Sequence, residues 1–157
     1  YDALPTATAA AKIVDGGTVW HRMGDCGYLD VDGQLWFCGR KVERVETPSA
    51  TLHTEPCERI FRVHKLGLRC ALIGLGPRGS QRPALVIEVD LPDSRACREL
   101  AREYRELAAR HAATQSIKTF YFRARFPVDV RHNAKIHRLH LARWAATAKG
   151  FESDPKR

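Results

Sequence analysis

The sequence predicts an α+β fold, on three observations. Two stretches combine β-rich residues with turn signals, 18–38 around Asp32-Gly33 and 68–89 around Gly76-Pro77-Arg78-Gly79. Two others, 54–64 and 97–111, repeat apolar residues at three and four, the spacing of one helical face. A further β-rich run, Ile117–Arg123, follows the second helix. The 157 residues suit one domain with at most an extra element, and 44% hydrophobic residues are enough for an ordinary core.

Residues 1–17 read as a loop with a weak helical segment, Ala7–Val14, ended by Gly16-Gly17. Thr18–Arg22 is β-rich and Met23-Gly24-Asp25 breaks it. Gly27–Asp30 and Gln34–Cys38 follow as strands on either side of the Asp32-Gly33 turn, which makes a three-stranded meander. By itself this meander is a structural hairpin region. Thr54 reads as the N-cap of the next helix, with Pro56 in its first turn and Cys57, Ile60, Phe61 and His64 on one face. Leu68–Leu75 and Ala84–Val89 pair as a buried hairpin. Asp93 or Ser94 caps a longer helix whose apolar face runs from Cys97 through Tyr104 to His111. His111 on that face reads as a packed core histidine, and the face with Arg98, Glu99, Arg102, Glu103, Arg105 and Glu106 as solvated ion pairs. Ile117–Arg123 is the third strand of the sheet.

The stretch Phe126–Arg138 organises the rest. Pro127 fixes φ and ends the preceding strand. A short rigid loop follows, with the small residues Asn133 and Ala134 allowing close backbone approach, and a helix begins near Ile136 and runs to about Lys149. Lys135 stands at the junction, a compact cation beside a helix start where anions are already favoured.

Composition excludes several classes. The chain has no apolar run long enough to span a membrane, and no charged n-region followed by an apolar stretch. It begins at Tyr1 without an initiator Met, which fits a piece of a longer protein. The five cysteines are odd in number and lack Cys-x-x-Cys spacing, so reduced thiols in a cytoplasmic protein are expected. The seven histidines show no metal-binding pattern, and no metal site is expected. The net charge is +8, and residues 118–157 hold ten of the 26 Lys/Arg but three of the 18 Asp/Glu. A basic pole of this kind serves nucleic acid, a membrane surface or a phosphate-bearing molecule. Nucleic acid is disfavoured, because Phe120, Tyr121 and Phe122 read as strand core and no RNA-binding signature is present.

Three motifs in order carry a resemblance. Pro127 followed by Asn133-Ala134-Lys135-Ile136-His137-Arg138 resembles the last core motif of the adenylate-forming superfamily, with Ala134 where most members have Gly. His21-Arg22-Met23-Gly24-Asp25 resembles the Tyr-Arg-Thr-Gly-Asp motif, and Gly39-Arg40-Lys41 the Gly-Arg-x-Asp motif. Within the superfamily, the olefin β-lactone synthetase branch carries the same Phe-Pro-Val-Asp-x-Arg-His-Asn-Ala-Lys-Ile run.

The resemblance implies the following. Lys135, a surface lysine if read alone, becomes the catalytic lysine that meets the α-phosphate and the attacking carboxylate. Asp25 and Arg40 become ribose-binding residues, a carboxylate for a vicinal diol and a planar donor fork beside it. Val42 occupies the hinge position, where the family has Asp, and the Lys-Ile-x-Gly segment usual after it is missing. That departure weakens a thioester-forming reading, and fits lactone formation, which needs no thiol acceptor. Asn133, His132 and Arg138 are candidates for support, and His132 also for deprotonating a β-hydroxyl. The expected organisation is an end piece of a large domain (1–41), a small C-terminal lid with a three-stranded sheet and flanking helices (42–150), and a tail (151–157). The phosphate loop, adenine pocket and acyl pocket are absent. ATP with Mg2+ would therefore be held mainly by a missing N-terminal domain, and the chain alone would be inactive. The whole enzyme would convert a long-chain 2-alkyl-3-hydroxy acid through its acyl-adenylate to a β-lactone, alongside partner enzymes of olefin biosynthesis. A long-chain fatty acyl-CoA ligase is the alternative.

Overall fold

The computed structural model describes residue 9 and residues 11–129 and 132–152. Its centre is a four-stranded mixed sheet made by β7 (Cys70–Leu75), β8 (Arg82–Glu88), β9 (Thr119–Arg123) and β12 (Phe151–Glu152), in the order β12-β9-β8-β7. β7 and β8 form an antiparallel hairpin, whereas β8 and β9 run parallel. A parallel pair needs a long crossover, and α2 (Ser94–Ala109) supplies it.

Strand side chains alternate between faces, and here both faces are covered. Leu72, Leu85, Ile87 and Phe120 point to one side and pack with Phe61 of α1 (Thr54–Arg62) and with Leu100, Tyr104 and Ala108 of α2. Ala71, Ile73, Ala84, Val86 and Tyr121 point to the other and pack with Phe126, Ile136 and the helix α3 (Arg138–Ala145) through Leu141 and Ala145. Two-sided burial explains why Cys70–Leu75 and Ala84–Ile87 read as unbroken apolar runs.

Several expected elements are present with shifted ends, and some differ in kind. The sheet has the three expected strands and a fourth. Phe151–Glu152 lies opposite Thr119 and Phe120, so the first two residues of the expected tail belong to the sheet. Gly150 leads into it, where an added Cβ would lie 2.9 Å from both Thr119 and the Tyr121 ring. β1 (Lys12–Asp15) takes the end of the expected helical segment and pairs with β2 (Thr18–His21) across Gly16-Gly17. Residues 7, 8 and 10 lie outside the described ones. The meander is therefore two separate hairpins, because β3 (Asp25–Leu29) pairs only forward, with β4 (Leu35–Arg40). At the tip of that second hairpin, Asp30 accepts hydrogen bonds from the Trp36 indole at 2.6 Å and from the Gln34 and Asp32 amides. The indole bond, more than the amides, holds the Asp30 carboxyl below its ordinary range.

One cap, one histidine and one charged side chain of α2 also differ, Arg105 being 7% exposed with its Nη1 donating to the Gln115 carbonyl at 3.2 Å. His53, not Thr54, is the N-cap residue of α1. Asp93 caps α2, its carboxylate accepting from the Arg95 and Ala96 amides at 2.8 Å. His111 lies past the end of α2 and is exposed. The packed histidine is His64, with its ring 4.5 Å from Tyr104 and its Nε2 3.0 Å from Glu103. Among the described residues no helix is long and apolar enough to cross a membrane.

The five cysteines are free thiols. Burial, reinforced by the nearby Glu58 charge, pushes both Cys57 and Cys70 up to about 12. The thiolate is the reactive form, so alkylation of the native protein at pH 8 is expected to spare Cys57 and Cys70 until it unfolds. Peptide mapping that finds them modified as fast as Cys26 contradicts this packing.

Candidate functional site

The Lys135 segment is a strand in a hairpin, not a loop. β10 (Val128–Asp129) pairs with β11 (His132–Ile136), Val128 opposite Ile136. β9 ends at Arg123, four residues before Pro127, so the proline does not stop the strand; its carbonyl accepts from the His137 amide at 2.9 Å. Alternation then decides the orientations. Ile136 is buried in the second core cluster, so its neighbour Lys135 faces outward and is exposed. Among the described residues Lys135 makes no ion pair. The helix after it starts at Arg138, three residues on, with His137 as its N-cap residue. His132 and Asn133 are placed in β11, and their side chains lie outside the described ones, as does Arg131.

Arg138 is where the structure concentrates charge. Its Nε and Nη2 each donate at 2.8 Å to the two carboxylate oxygens of Glu58, a planar fork on a planar acceptor. Its Nη1 donates at 3.0 Å to Glu43. Glu58 is 1% exposed and also accepts the Leu72 amide at 2.9 Å. Burial opposes the Arg138 charge, but the hydrogen bonds and charges of Glu58 and Glu43 outweigh it and raise the guanidinium above its ordinary value. The cluster thus joins α1, β7, the segment after β4 and the first residue of α3. An open groove of about 740 Å3 runs past it, between Arg62 and Arg69.

Asp25 and Arg40 meet directly. They are register partners on β3 and β4, and their side chains pair at 3.0 Å with 41% of Arg40 and 36% of Asp25 exposed. Arg40 also donates to the Met23 carbonyl at 2.7 Å. Gly39 precedes it with φ +114°, and an added Cβ would collide with the Thr54 hydroxyl, so the β4–α1 approach requires glycine. Val42 is exposed in the turn after β4, where the Glu43 amide donates to the Arg40 carbonyl at 3.0 Å. β5 (Val45–Glu46) and β6 (Thr51–Leu52) then form a small hairpin, tied by Glu46 to Arg44 and Arg78.

The structure therefore brings Asp25 to Arg40 and Arg138 to Glu43, while Lys135 stands apart on its own outward face. Glu43 and Glu58 were missed in the sequence. Glu58 was detectable, since it lies three residues before the core residue Phe61 and so shares its face. Among the described residues no group of His, Cys, Asp and Glu side chains could hold a metal ion.

No family model matches the chain. Among curated proteins, it is 48% identical over 147 residues to the olefin β-lactone synthetase of Xanthomonas campestris pv. campestris, covering 89% of this chain and 26% of that protein. The chain is a relative of the olefin β-lactone synthetases. The same enzyme of Stenotrophomonas maltophilia is 47% identical over 153 residues, 93% of this chain and 27% of its own length. The chain thus spans about a quarter of the length of these synthetases. Its fold matches the o-succinylbenzoate CoA synthetase of Bacillus subtilis, solved with an acyl-adenylate, at a TM-score of 0.69 and 21% identity, over 95% of this chain and 28% of that one. The α+β fold is that of the C-terminal part of adenylate-forming enzymes, as the resemblance implied.

Removing one partner of a buried ion pair leaves the other charge uncompensated, at a cost of about 3–5 kcal/mol. Glu58→Gln is therefore expected to destabilise the protein by roughly 3 kcal/mol in a denaturant titration. A loss below about 1 kcal/mol, the range of a surface pair, contradicts the buried cluster.

Proposed function

We propose that this chain is the lid-bearing C-terminal part of an ATP-dependent enzyme that forms a β-lactone from a long-chain 2-alkyl-3-hydroxy acid. The observation that carries this is the 47–48% identity to olefin β-lactone synthetases over about nine-tenths of the chain, through all three motifs. Residues 1–41 are read as the end of the large domain, 42–150 as the lid and Val42 as the hinge. The exposed apolar side chains of the two N-terminal hairpins, among them Trp20, Leu29, Leu35 and Phe37, suit a chain that continues into a larger body.

The chemistry follows in two steps. A carboxylate oxygen of the acid attacks the α-phosphorus of ATP, and the bond to pyrophosphate breaks. The 3-hydroxyl oxygen then attacks the activated carbonyl carbon, loses its proton, and expels AMP as the four-membered ring closes. Lys135, outward-facing and without a carboxylate partner among the described residues, places a positive charge at the α-phosphate oxygens. One preorganised donor of this kind supplies about 3–4 kcal/mol. Asp25 takes the ribose diol, with Arg40 holding the carboxylate in place. MgATP is a substrate bound mainly by the rest of the parent enzyme, which works in the cytoplasm beside the enzymes that supply the acid and consume the lactone. The lid closes over the adenylate and keeps water from it. His132 is a candidate to accept the hydroxyl proton.

Two results are expected. In the parent enzyme, Lys135→Ala lowers acid-dependent ATP–pyrophosphate exchange by about 10²–10³ without loss of fold, and near wild-type exchange contradicts the assignment. Incubation with ATP and the acid gives β-lactone by mass spectrometry with no CoA present. A thioester formed only with CoA makes this the lid of an acyl-CoA ligase instead.

A further inference from the structure

Arg138 offers three donor nitrogens to carboxylates, and Glu58 satisfies two of them from inside the core. The third, Nη1, goes to Glu43, which belongs to neither helix nor sheet. Glu43 closes the turn after β4 through its amide bond to the Arg40 carbonyl. Arg40 is paired with Asp25. On the other side, Arg138 is three residues after Lys135, with the buried Ile136 and the His137–Pro127 hydrogen bond fixing the chain between them. A continuous line of contacts thus runs from Asp25 through Arg40, Glu43 and Arg138 to the root of the Lys135 strand. The Glu43 and Arg138 side chains are 12% and 15% exposed, so water screens this link far less than a surface pair.

We infer that Glu43 is a positioning residue for Lys135, acting through Arg138 to fix where the ammonium stands relative to the segment that leaves β4 at Val42. Glu58 already anchors the guanidinium in the core. What Glu43 adds is registration of the α3 start, and hence of the preceding lysine, against the segment that leaves β4. The inference rests on Lys135 being the residue that meets the α-phosphate. Displacing a catalytic group by an ångström costs up to about a hundredfold in rate.

The test is a double-mutant cycle in the parent enzyme, read as acid-dependent ATP–pyrophosphate exchange with melting temperature alongside. Glu43→Gln is expected to lower kcat by about tenfold or more, with KM for ATP within a factor of two or so. Placed on Lys135→Ala, the same change is expected to cost nothing further, because its effect passes through the missing ammonium. An equal loss in both backgrounds overturns the inference and makes Glu43 merely structural. Unchanged kcat in Glu43→Gln alone overturns it too. Failure of the underlying reading is separate, since it is seen as full exchange in Lys135→Ala by itself. If Glu43→Gln does not fold, Glu43→Asp, which keeps the charge but shortens the reach, carries the same cycle and the same outcomes.

Discussion

The ion pair between Glu58 and Arg138 is the constraint on which the arrangement depends. A carboxylate 1% exposed is stable as a charge only when its oxygens are filled, and here two guanidinium nitrogens and the Leu72 amide fill them. Because α1 and β7 cover one side and α3 approaches from the other, satisfying Glu58 dictates where α3 begins. The pair is weak evidence for net stability, since well-packed apolar residues could do as well. Its strength is geometric, because the planar fork accepts one orientation and thereby registers two layers of the fold.

That registration is transmitted to Lys135 by ordinary strand alternation. Phe126 and Ile136 are buried against the sheet, and β10–β11 is hung from them. The residue before a buried strand residue must face out, so the lysine is exposed by the same packing that fixes its backbone. The Phe126 amide adds a hydrogen bond to Glu88 at 2.6 Å, and Glu88 is in turn paired with Arg69 at 3.0 Å. A cation needed at a phosphate benefits from this, because its strand is anchored through Ile136 and, among the described residues, no carboxylate pairs with its charge.

The elements that could be read in the sequence were those with a local signal repeated several times. α2 shows sixteen residues of helical periodicity and an Asp93 cap, and the β7–β8 hairpin shows two apolar runs across a glycine-rich turn. The motifs with Asp25, Arg40 and Lys135 were legible as a resemblance, as was the fold it implied. What was not legible lacked a local signature. β12 is two residues long and is a strand only because β9 offers an edge. The Gly16-Gly17 turn looked like a helix end, although it joins two strands whose pairing is set by hydrogen bonds rather than by periodicity. Lys135 looked like a loop residue because its strand is short and largely polar, with the buried Ile136 at its end. The partner shared by Glu43 and Glu58 carried no local signal, since Arg138 lies 95 and 80 residues away.

The central claim is that the exposed face of β11 presents Lys135 to the nucleotide's phosphate. Its most direct test is lysine acetylation of the parent enzyme, quantified by peptide mass spectrometry with and without a non-hydrolysable ATP analogue plus the 2-alkyl-3-hydroxy acid. Lys135 is expected to react readily in the free enzyme and to be strongly protected in the complex, while Lys65 and Lys118 change little. Equal labelling of Lys135 in both states would contradict the account.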